Sequence, residues 1–82
     1  MSTGIEQTIR DYILREFLPG EDPSQLTDET PLITSGIIDS IRTLRLVSFL
    51  EETFSISLQA HETDADHLNT VALITELVQS KN

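Results

Sequence analysis

SGIIDSIRTLRLVSFLEETF (residues 35–54) is the stretch on which the fold turns. Asp39 is a strong N-cap residue, and the apolar side chains after it return at three- and four-residue intervals. A helix therefore opens at Asp39 and runs to about Phe54. At 100° per residue, Thr43, Leu46, Val47, Leu50 and Phe54 fall on one side and make a core stripe. Ile41, Leu44, Arg45, Ser48 and Glu52 fall largely on the other. Two aliphatic side chains thus face outward next to Ser40, a serine at the first helical position.

On the N-terminal side, Ile5, Ile9, Tyr12, Ile13 and Phe17 recur at helical spacing, which predicts an amphipathic helix over Ile5 to Leu18. PGEDPSQLTDETP (residues 19–31) stops it, because Pro19, Gly20, Pro23 and Pro31 disfavour continued helix. The resulting loop is longer than most connections in compact domains, so Leu26, Leu32 and Ile33 are expected to pin it to the core. On the C-terminal side, SISLQAHETDADHLNT (residues 55–70) reads as a loop with one helical turn around Asp64 to Leu68. Asn69 or Thr70 then caps a last helix over Val71 to Gln79 that buries Val71, Ile74, Leu77 and Val78. The expected fold is all-α: a small four-helix bundle of three main helices and one short one, with a long first connection.

Composition narrows the function. The chain has 82 residues, one domain's worth, too few for a core and an enclosed active site as well. Fourteen acids against five bases give a net charge of −9, which repels phosphate backbones and argues against nucleic acid as a ligand. No apolar stretch approaches the ~18 residues of a membrane span, and no signal segment follows Met1. A cytoplasmic location is expected. With no cysteine, the chain has no disulfide, no thiolate metal site and no thiol nucleophile of its own.

Ser40 admits two readings from the residues alone. In the plainer one, Asp39 and Ser40 only start a helix, a cap worth ~1 kcal/mol; Asp39 suffices for that. In the sharper one, Ser40 is a covalent attachment point for a phosphorylated group, since unsatisfied N–H groups and the positive end of the helix dipole favour an anion there. A hydrolase triad of Ser40 with His61 or His67 and an acid finds little support: there is no G-x-S-x-G elbow and no strand to present the serine. HETDADH (residues 61–67) departs from the calcium-loop pattern and reads as solvated loop and short helix, with no metal site expected.

DETPLITSGIIDSIRTLRLVSFLEETFSISL (residues 28–58), with HLNT (residues 67–70) before the terminal helix, resembles the acyl and peptidyl carrier protein family over nearly the whole chain. In that family an acid, a serine and an aliphatic residue open the second helix, and the serine receives 4′-phosphopantetheine from coenzyme A. Asp39, Ser40 and Ile41 match these positions, Ile41 replacing the usual leucine, and Gly36 matches a glycine before the motif. The resemblance implies a non-enzymatic carrier. Its arm on Ser40 would hold acyl or aminoacyl groups as thioesters for a phosphopantetheinyl transferase, an adenylating ligase or acyltransferase, and downstream tailoring or condensing enzymes.

Two departures matter. Fatty-acid carriers typically have acids along the exposed side of the second helix, whereas this chain has Arg42 and Arg45. These are either solubilising surface residues or a charge reversal that alters partner choice. Asp39, Ile41, Arg42, Leu44 and Arg45 are the expected partner-binding residues, although lone exposed aliphatics are also ordinary. The paired glycines of many synthetase-borne peptidyl carriers are missing, and the sequence runs from Met1 to just beyond the last helix. It is therefore most similar to discrete carriers of specialised biosynthetic pathways; a monomer is expected of a shuttle that must expose its docking face to several enzymes, and a short acyl or aminoacyl cargo of a core this small. The D-alanyl carriers of cell-wall modification are an alternative, and so is an unmodified helical interaction module that has kept the fold.

Overall fold

The computed structural model describes residues 2–81. Among these, four α-helices and no strand are found: α1 (Ser2–Phe17), α2 (Ser40–Phe54), α3 (Ala65–Leu68) and α4 (Val71–Lys81), with 3₁₀ turns at Pro23–Gln25 and Ala60–Glu62. The all-α expectation holds. α1 begins a turn earlier than the apolar spacing indicates and α4 ends two residues later, because periodicity registers only turns that carry an apolar residue.

The core is built where the spacing put it. Ile9, Tyr12, Ile13 and Phe17 of α1 meet Leu46 and Leu50 of α2, Leu68 of α3, and Val71, Ile74, Leu77 and Val78 of α4. α1 packs directly on α4, and α3 is seated against α4. Within the α2 stripe only Leu46 and Leu50 are fully buried; Thr43, Val47 and Phe54 line its margins. Thr43 spends its hydroxyl on the Asp39 carbonyl at 2.8 Å, which satisfies a polar group at the edge of an apolar interior.

The long first connection is fastened at several points. Leu26, Leu32 and Ile38 are buried in the core, while Ile33 is half-buried. Arg10 of α1 donates to the Leu26 carbonyl at 2.8 Å and pairs with both Glu6 and Asp28. The Asp28 carbonyl in turn accepts the Ala72 N–H of α4 at 3.0 Å. The loop is thus tied to α1 and to α4.

At the other end, Lys81 Nζ donates to Glu62 Oε1 at 2.6 Å, and the same oxygen accepts the Gln59 N–H at 2.9 Å. These bonds, that of Lys81 foremost, hold the Glu62 carboxyl below its ordinary value. The ionised form is favoured by folding, so its contribution is present above the unfolded carboxylate range and is lost as pH falls through the depressed folded value. Melting followed by circular dichroism is expected to show Tm falling on acidification from neutral pH, and Glu62→Gln to remove part of that fall. An identical pH profile in the variant would refute the assignment.

Candidate attachment site and docking face

The start of α2 is built from its own residues. Asp39 is extended, and its Oδ1 accepts the Arg42 N–H at 2.8 Å, an N-cap bond to the third helical residue. Ser40 follows as the first helical residue, exposed. Among the described residues, no hydrogen bond occupies the backbone N–H of Ser40 or Ile41. Two backbone donors at the positive end of a fifteen-residue helix are therefore left unpartnered next to the Ser40 side chain.

Upstream, residues 32–38 form a closed turn. The Gly36 N–H reaches the Ile33 carbonyl at 3.1 Å, and the Ile38 N–H reaches the Leu32 carbonyl at 2.9 Å. Gly36 has φ +88°, a left-handed conformation that any side chain would strain. An open groove of about 560 Å³ lies beside Ser40, lined among others by Ile33, Gly36, Thr43, Leu44, Thr63 and Asp64. Its far wall is stabilised locally: His67 Nδ1 pairs with Asp64 Oδ1 at 2.8 Å, and this bond is the chief cause holding the Asp64 carboxyl below its ordinary value. Of the acids of HETDADH, Asp64 and Glu62 are thus engaged in side-chain contacts while Asp66 is exposed, and Glu62 is more enclosed than a solvated loop implies.

The outward face of α2 carries Ile41 and Leu44, 67% and 69% exposed, and these are the large apolar side chains left uncovered among the described residues. The two arginines differ. Arg42 Nη1 donates to the Ile37 carbonyl at 2.9 Å, and its guanidinium stands 5.9 Å from the Phe17 ring centroid, so it braces the chain entering α2. Arg45 has neither a hydrogen bond nor an ion pair from its side chain among the described residues. It lines a second groove with Tyr12, Glu16, Ile41, Leu44, Phe49 and Glu52, floored by Tyr12 stacked on Phe49 at 3.8 Å. The Tyr12 hydroxyl donates to the Arg45 carbonyl at 3.3 Å, and burial, with Glu16 adding to it, pushes the phenol above its ordinary value.

Two residues that matter here were not singled out by sequence reasoning. Phe49 lies three positions from Leu46, and that spacing was the signal available for it. Asn69 was visible only as a helix-cap candidate. The cap of α4 is in fact Thr70, whose Oγ1 accepts the Leu73 N–H at 3.0 Å, and Asn69 is spent elsewhere.

Comparison with curated proteins then gives relatives 37% identical over 75 residues, spanning 92% of this chain and 91% of theirs. They are the D-alanyl carrier proteins of Streptococcus pyogenes serotype M5 (strain Manfredo), serotype M49 (strain NZ131) and serotype M1. The chain belongs to their carrier protein family. No family model matches it. Carrier proteins work by serving partner enzymes and generally carry 4′-phosphopantetheine, as the resemblance implied. In this carrier protein no helix among the described residues is long and apolar enough to cross a membrane.

Proposed function

We propose that this chain is a discrete aminoacyl carrier that takes 4′-phosphopantetheine on Ser40 and holds a D-alanyl unit on that arm. It delivers the unit from an adenylating ligase to the enzyme that consumes it. The observation that carries the reading is the exposed Ser40 hydroxyl at the first position of α2, beside a groove and two unpartnered N–H groups. A phosphodiester at that position gains hydrogen bonds and the field of the helix at once. When bound, the arm supplies a terminal thiol, the function a cysteine-free chain lacks, on which acyl groups are held as thioesters.

The residues of the chain have separate tasks. Asp39 has committed Oδ1 to the Arg42 N–H and secures the helix start. Arg42 braces the chain entering α2 at the Ile37 carbonyl. Ile41 and Leu44 offer an apolar centre to partner enzymes, and Arg45 offers a cation to a carboxylate on them. The D-alanyl cargo is supported by the names of the relatives, and it favours the cell-wall alternative over a specialised biosynthetic pathway.

Intact mass tests both parts in sequence. Incubation with coenzyme A, magnesium and a broad-specificity phosphopantetheinyl transferase is expected to add one phosphopantetheine. Subsequent ATP, D-alanine and a D-alanine-activating ligase are expected to add one alanyl unit. No gain at the first step would favour the unmodified interaction module; a gain at the first step alone would leave a carrier with another cargo.

A further inference from the structure

Asn69 lies between α3 and α4, yet its side chain serves neither helix. Its Oδ1 accepts the Ile33 N–H at 2.9 Å, the Thr34 N–H at 3.0 Å and the Thr34 hydroxyl at 3.4 Å. Its backbone carbonyl accepts the Leu32 N–H at 2.6 Å. Three successive peptide groups therefore hang on one residue. A side-chain carbonyl with two lone pairs can serve two adjacent donors, which an alkyl side chain cannot do at all.

These three peptides open the closed turn of residues 32–38. Leu32 and Ile38 anchor its two ends in the core, so apolar burial fixes where the turn stands. Burial fixes less of the stretch between them, where Ile33 and Ile37 are only half-buried against the core and residues 34–36 are exposed. Ile33 and Gly36, on that stretch, form the groove wall facing Ser40. The hydrogen bonds of Asn69 are what hold that wall to the α3–α4 junction.

We propose that Asn69 is a positioning residue for the attachment serine: by clasping residues 32–34 it shapes the groove wall that the phosphopantetheinyl transferase meets as it reaches Ser40. The inference rests on Ser40 being the attachment point. Without the clasp, the buried anchors keep the bundle folded while the turn samples other shapes. Aspartate at the same position keeps the acceptor and strengthens its bonds by charge.

The test is steady-state attachment kinetics with coenzyme A, magnesium and transferase, varying the concentration of wild-type, Asn69→Ala and Asn69→Asp protein. KM for the alanine variant is expected to rise about tenfold with kcat within about twofold, as when only about a tenth of the turns are competent at any moment. Asn69→Asp is expected to return KM to within about threefold of wild type, and helical circular dichroism at 25 °C to be the same in all three. A wild-type KM in the alanine variant overturns the proposal, and so does a raised KM that aspartate does not restore. If the alanine variant fails to fold, Asn69→Ser, with a shorter reach, replaces it under the same criteria. Wild-type protein that gains no phosphopantetheine brings down the Ser40 reading itself, and this inference with it.

Discussion

Ser40→Ala is expected to gain no phosphopantetheine under conditions in which the wild-type chain is fully converted, as read by intact mass. The loss should be complete, because the substitution removes the oxygen that would form the ester. The fold should barely respond. Ser40 is exposed, its side chain makes no hydrogen bond among the described residues, and alanine is the better helix former. The stability change should stay within about 0.5 kcal/mol. The N-cap bond from Asp39 to the Arg42 N–H is independent of the serine and should persist. A variant that still accepted the arm would move the attachment site to another hydroxyl.

Two leucines two positions apart in α2 should fail in opposite ways. Leu46 is fully buried, and Leu46→Ala should cost about 2–5 kcal/mol through lost burial and the cavity left behind. In a domain of this size that corresponds to a fall in Tm of roughly 10 °C or more, measurable by thermal melting. Leu44 is 69% exposed, so Leu44→Glu should leave Tm nearly unchanged. It places a charge at the centre of the apolar face, and the efficiency of ligase loading, kcat/KM, should fall about thirtyfold, the effect of losing an interface anchor of ~2 kcal/mol. Unaltered loading by Leu44→Glu would remove α2 from the docking surface.

The parts of this structure that follow from repeated spacing were legible beforehand. Helical period located α1, α2 and α4, and chain-stopping prolines located the loop between the first two. Asp39 announced the start of α2 because a cap is a local bond, made within three residues. What sequence did not disclose depends on side chains meeting across the fold. Arg42 counts as a surface cation by its helical position, but its guanidinium doubles back five residues to the Ile37 carbonyl. The Lys81–Glu62 pair spans 19 positions, and no local rule matches those two among the available acids. Phe49 becomes a groove floor only because Tyr12 arrives from another helix to stack on it. Asn69 has the composition of a cap and the function of a clasp, a difference set by which backbone happens to lie within reach.

That clasp has a consequence for timing during synthesis. The turn preceding Ser40 is fastened at Ile33 by a residue 36 positions further along the chain. When a ribosome has released α1 and α2 but not the α3–α4 junction, the serine already exists while one wall of the groove beside it is not yet fastened. On the proposals made above, an enzyme that reads that surface would distinguish finished chains from unfinished ones, so that prosthetic-group attachment would double as an inspection of folding.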